Sequence, residues 1–171
     1  MRSLIYLGSA FLVSCAPTPS AESSSTPHKL QSVAADVKSW GVTLRSWSVD
    51  ADGRVEFSSG GQPGKDPANT TIEFRRLTLT PAAREELAAA VVRIREVLAQ
   101  PEHCDLRRTD GPYGTFRWND GSGEQSLPFD GNCEKGRDAE LGAAVFAADR
   151  IVEDAAKAVA PVETRPATQE R

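Results

Sequence analysis

Histidine is scarce in this chain, with only His28 and His103 among 171 residues. That scarcity removes the usual general base and the commonest metal ligand from almost the whole sequence. There is no HxxxH spacing and no CxxC pair, so no metal site and no cofactor are expected. Paired carboxylates at a recognisable spacing and a glycine-flanked nucleophile elbow are missing as well, and no catalytic residue is assigned. Positive charge is in the minority, 20 Lys and Arg against 24 Asp and Glu, for a net charge of -4. A polyanionic partner such as nucleic acid is therefore not favoured. The apolar run from Leu4 to Val13 is too short to span a bilayer. The length allows one domain with a real core and leaves no room for two.

What is present begins at the N-terminus. Arg2 supplies a positive charge, Leu4 to Val13 an apolar stretch of signal-peptide length, and small residues lead to Cys15. The segment Leu12-Val13-Ser14-Cys15 resembles the lipobox of bacterial lipoprotein precursors. The resemblance implies that residues 1–14 are a signal peptide, that Cys15 receives diacylglyceryl on its sulfur, and that its new amine is acylated after cleavage behind Ser14. In that family the residue after the cysteine influences sorting, and Ala16 is not the aspartate associated with inner-membrane retention. The expected address is the outer membrane, on its periplasmic face, with the Cys15 lipid as the membrane contact. An ordinary secretory leader cut elsewhere, or a buried first helix, are the alternative readings. Residues 15–32 read as the lipidated cysteine and a flexible linker, because Ala16 to Pro27 is rich in Ser and Pro and poor in apolar side chains. His28 falls at the end of that linker and reads as solvated.

Three cysteines is an odd number for an oxidising compartment. With Cys15 lipidated, Cys104 and Cys133 remain, and they are predicted to form a disulfide. It would close a loop of about 30 residues, worth roughly 3.6 kcal/mol in the chain-entropy view. Two buried thiols or half of a metal site are the alternatives. His103 lies next to Cys104, a superficial thiol and base pair, yet sequence neighbours seldom face each other and a bonded sulfur cannot attack. A zinc site from Glu102, His103 and Asp105 is equally weak.

Residues 33–160 read as a single α+β domain. Val33 to Ser39 suggests a short helical turn, and Trp40 to Asp50 a strand with Trp47 and Val49 on one face. Asp50-Ala51-Asp52-Gly53 is hairpin chemistry returning through Arg54 to Ser58, with Val55 and Phe57 opposite Val49 and Trp47. A calcium loop fails here, since the later ligands of an EF-hand are missing. Residues 58–69 form a glycine-rich stretch without the Gly-Lys-Ser/Thr of a phosphate loop, so they read as a mobile loop and a candidate contact surface. Thr70 to Leu79 is a third strand whose alternation slips at Arg75-Arg76, which suggests a bulge. Thr80-Pro81 starts a helix with Leu87, Val91, Ile94 and Leu98 as its buried stripe. Tyr113 to Trp118 and Glu124 to Phe129 form a second hairpin, with Phe116, Trp118, Leu127 and Phe129 on one face. Asp138 reads as the cap of a second, Ala-rich helix, ended by Pro161, and residues 161–171 as a disordered tail.

The resulting expectation is a mostly antiparallel five-stranded sheet with both amphipathic helices on one face. Its order is strand, strand, strand, helix, strand, strand, helix, with one disulfide. Arg75, Arg76, Arg107, Arg108 and Arg117 are candidates for a basic binding patch on the outer sheet face. The Leu77-Thr78-Leu79-Thr80-Pro81 run into a helix, the Tyr113 to Trp118 strand and the Leu127-Pro128-Phe129-Asp130 strand end are similar to emfourin. That family inhibits thermolysin-like proteases. The resemblance is one of element order over the middle of the chain, and the disulfide, the lipid anchor and the long second helix depart from it. The expected role is a non-catalytic envelope module that binds a protein or cell-wall partner. A protease inhibitor or a small envelope hydrolase are the alternatives.

Overall fold

A computed structural model describes residues 30–66 and 69–167. The expected signal peptide, Cys15 and His28 lie outside the described residues.

The elements run in order as β1 Ser32–Ser39, β2 Val42–Asp50, β3 Arg54–Ser59, β4 Thr71–Thr78, α1 Pro81–Leu98, β5 Leu106–Arg107, β6 Tyr113–Asn119, β7 Glu124–Asp130, β8 Cys133–Lys135, α2 Arg137–Lys157 and β9 Glu163–Pro166. Seven strands form one antiparallel sheet in the order β7-β6-β1-β2-β3-β4-β9. A separate pair, β5 and β8, carries the Cys104–Cys133 disulfide, with Cα atoms 5.8 Å apart. The fold is α+β, as the pattern of elements predicts, with two more strands in the sheet than the five expected.

The first extra strand is β1. Val33, Ala35 and Val37 are buried at alternate positions, so period two governs the stretch that reads as a helical turn. It lies inside the sheet between β6 and β2, where flanking backbones satisfy its hydrogen bonds. The second is β9, in the expected disordered tail. Glu163–Pro166 pairs with Thr71–Phe74 of β4, and Arg165 stacks over the Phe74 ring 4.1 Å from its centroid.

That strand also explains the slip in β4. The β3–β4 register is regular from Arg54↔Thr78 to Ser59↔Glu73, so the expected bulge is not there. Instead Arg75 takes the inward position opposite Phe57, while Ile72 and Phe74 take the outer face beside Arg165. The sheet's irregularity falls between Val37 and Lys38 on β1.

Both hairpins pair as expected, Trp47↔Phe57 and Val49↔Val55 in one, Phe116↔Leu127 and Gly114↔Phe129 in the other. Their apolar faces meet α1 and α2 in one core, where Trp47 and Phe116 touch edge to face at 6.2 Å. Thr80 caps α1 by accepting from the Ala83 N–H at 3.2 Å, with Pro81 in the first turn. Its buried stripe ends on Val97, with Leu98 only partly buried. The N-cap of α2 is Gly136, and Asp138 lies inside the first turn in an ion pair with Arg137. No helix among the described residues is long and apolar enough to cross a membrane.

Two turns use positive φ in opposite ways. Gly53 closes the Asp50–Gly53 turn with φ 82°, and its N–H donates to the Asp50 carbonyl at 2.9 Å. Trp40 and Gly41, at φ 51° and 77°, make the two-residue link from β1 to β2, the pattern of a type I′ turn. Asn or Gly takes the first of those positions at little cost, whereas a bulky side chain is strained there.

Candidate functional site

A cleft of about 590 Å³ lies between α1 and the end of the sheet where β1 starts and β2 stops. Its floor is apolar, built from Val33, Val49, Leu87 and Val91, and Leu30 stands at its edge. The α1 wall follows from helix spacing. Positions 81, 84, 85, 88, 92 and 95 recur every three or four residues along one face, and the alanines at 88 and 89 are too short to fill the space toward the strand ends.

Charges mark the two ends of this cleft. At one, the Arg84 guanidinium donates to the Ala51 carbonyl at 2.7 Å and packs across Gly53 beside the Asp50 turn. At the other, Arg95 donates to Asp120 at 2.8 Å. Asp50 accepts from the Arg54 and Asp52 N–H groups, and these hydrogen bonds, that from Arg54 foremost, hold its carboxyl below the ordinary value. Asp120 is held low in the same way, first by the Ser122 hydroxyl at 2.6 Å, then by the Ser122 N–H and by Arg95. Both carboxylates stay ionised and occupied, so they frame the cleft rather than exchange protons in it.

The candidate basic patch does not assemble. Arg75 points to the helix side, where it pairs with Glu73 and donates to the Val159 carbonyl at 3.2 Å. Arg76 and Arg117 do lie on the outer face, but β1, β2 and β3 separate their strands, about 19 Å at the usual strand spacing. Arg76 faces Glu56 at 3.4 Å, and Arg117 meets Asp36 at 2.6 Å. Arg107 reaches Asp130 at 2.5 Å, and Arg108 pairs with Glu134. Each guanidinium has its own carboxylate, across the strand register for Arg76 and Glu56, along one strand for Arg75 and Glu73, and diagonally between strands for Arg117 and Asp36. Asp36 is the best-held of these acids. Burial, the largest influence, pushes its carboxyl up, but hydrogen bonds from Ser46 and Arg117 outweigh it and leave the group below the ordinary value.

The loop at 58–69 is tied down at its start rather than mobile there. A Cβ on Gly60 would meet the Thr71 carbonyl oxygen at 2.1 Å and one on Gly61 the Thr43 oxygen at 1.7 Å, so glycine is required by close backbone approach. A smaller cavity of about 200 Å³ opens beside it, against Val42, Thr43, Thr70 and Ile72. Residues 67 and 68 lie outside the described residues.

The Cys104–Cys133 bond holds both sulfurs. His103 is exposed, with Nε2 2.6 Å from Asp105, while its carbonyl accepts from the Asp138 N–H at the start of α2. Among the described residues, no three His, Cys, Asp or Glu side chains gather as a metal site.

One polar cluster was not anticipated from the sequence. Asp149, fully buried on α2, accepts from the Trp47 indole N–H at 2.9 Å and from the Arg45 Nε at 2.7 Å. Burial, the largest influence on Arg45, weakens its charge, but the hydrogen bond and charge of Asp149 raise its affinity for the proton overall. The signal was an aspartate within the apolar stripe Val145, Ala148, Val152 of α2. Sealed and satisfied on both sides, the cluster pins α2 to β2.

Comparison of the chain with protein-family models, curated proteins and solved structures gave no match.

Proposed function

We propose that this chain is a lipid-anchored, non-catalytic module of the bacterial envelope that receives an apolar segment of a protein partner in the cleft beside α1. The observation that carries the reading is the shape and chemistry of that cleft. It follows one helix face from Pro81 to Arg95, is floored by Val33, Val49, Leu87 and Val91, and has its charges toward its ends, Asp50, Arg84 and Glu85 at one and the Arg95–Asp120 pair at the other. Such a groove removes apolar side chains from water along its length, while the charged ends fix their register. Anchoring is supported by the match of Leu12 to Cys15 to a lipobox, and an outer-membrane address by Ala16 after it. The partner is accordingly an envelope protein on the periplasmic side.

A photo-crosslinking residue at Val92, which is exposed at the cleft wall, tests the site in cells. The expected result is one discrete crosslinked envelope protein, lost when Ala88→Trp fills the groove. Crosslinking that is absent, or that persists unchanged with the groove filled, rules out the cleft as the site.

A further inference from the structure

The end of the sheet opposite the cleft carries the Trp40–Gly41 turn. Trp40 is 69% exposed, and its backbone lies in a conformation that Asn or Gly adopts more readily. Neither packing nor turn geometry accounts for a tryptophan at this tip. Tyr113, 37% exposed at the start of β6, accepts from the Gly41 N–H through its hydroxyl at 3.0 Å, which holds the ring against the turn. Lys38 lies opposite Tyr113 in the β1–β6 register. Tryptophan and tyrosine rings prefer the level of lipid headgroups, and a lysine beside them extends its ammonium toward phosphates while its stem stays apolar. A protein interface of ordinary size covers about 800 Å² per partner, far more than one projecting turn presents.

We propose that the Trp40–Gly41 turn, with Tyr113 and Lys38, is a second membrane contact that enters the lipid headgroup layer. The inference rests on the reading of Cys15 as the lipid anchor, and chain length permits both contacts at once. From Cys15 to Leu30 a fully extended chain reaches at most about 50 Å. β1 and its flanking residues separate Leu30 from the Trp40 tip by at most about 33 Å.

The test uses protein isolated from membranes and placed in phosphatidylethanolamine–phosphatidylglycerol vesicles whose acyl chains carry bromine, a short-range quencher. Trp47 and Trp118 are 2% and 6% exposed, so the emission lost in Trp40→Phe is that of Trp40 itself. The expected result is quenching of that component by about twofold or more, together with protection from aqueous iodide. Trp40→Asn, which suits the turn, keeps the fold and removes the quenched component. A Trp40 signal that stays open to iodide and untouched by bromine with lipid in large excess overturns the proposal. Shielding that arises only on adding envelope proteins overturns it too. The mass of the N-terminal peptide separates the two readings. Lipidated protein with unquenched Trp40 refutes the turn contact alone, and unlipidated protein with quenched Trp40 refutes the anchor alone.

Discussion

Asp149 is fully buried, and its two oxygens are shared between Arg45 and the Trp47 indole. Removing one partner of a buried pair costs about 3–5 kcal/mol, and Arg45, 22% exposed and 3.9 Å from Glu153, places this pair at the low end, whereas replacing both by apolar groups of similar volume is often neutral or better. Asp149→Ala is therefore expected to lose about that much in urea unfolding, and the double change Arg45→Met with Asp149→Leu to recover most of it. Asp36, Asp50 and Asp120 bear on pH. Their carboxyls are lowered from the ordinary 3.8 in the folded chain, so each contributes stability that is complete above that value and is lost as pH falls through the lowered one. The melting temperature is expected to stay level with respect to these groups down to about pH 4 and then drop, with a shallower drop in Asp36→Asn. None of these pairings was legible in the sequence. Arg75 and Arg76 read as one patch because they are adjacent, but adjacent residues of a strand face opposite sides, and Arg75 pairs with Glu73 on its own strand while Arg76 pairs with Glu56 on β3.

At the scale of elements, the stretches whose signals are local were legible. The hairpins at Asp50–Gly53 and Asn119–Gly123, the Thr80-Pro81 helix start and the apolar stripe of α1 all form because the residues that specify them lie within a few positions of one another. Elements whose support is distant were not. β9 has no apolar alternation of its own and exists through backbone pairing with β4 and the Arg165–Phe74 stack. The cleft depends on what Ala88 and Ala89 fail to fill, which only the placement of α1 against the strand ends reveals. The turn at Trp40 gives a test that separates folding from function. Trp40→Asn is expected to stabilise the fold by about 1 kcal/mol by relieving the backbone, measured by chemical unfolding. Gly61→Ala should act in the other direction by more than about 3 kcal/mol, since its Cβ would stand 1.7 Å from the Thr43 oxygen.

Across the whole molecule, one covalent bond ties the segment that follows α1, at Cys104, to β8 at Cys133. Reduction, or the double change Cys104→Ser with Cys133→Ser, is expected to lower stability by up to about 3.6 kcal/mol in denaturant unfolding. Cys15→Ser should release the protein from the membrane fraction and change its gel mobility, and retention of both would refute the anchor. The strand order has a consequence for time rather than for stability. β1 is the first of the described strands to be made and lies in the interior of the sheet, with β2 on one side and β6 on the other. Its second neighbour arrives late, since the Asp36 and Arg117 that meet across that seam are 81 residues apart. A chain that emerges N-terminus first must hold the β6-facing edge of β1 open until Tyr113–Asn119 has followed. Sheets closed by such distant pairings fold slowly, in milliseconds to seconds, and expose a strand edge to other chains while they wait. The nascent domain is thus most open to misassembly in the interval between its first hairpin and its sixth strand, when a holding chaperone would have the most effect.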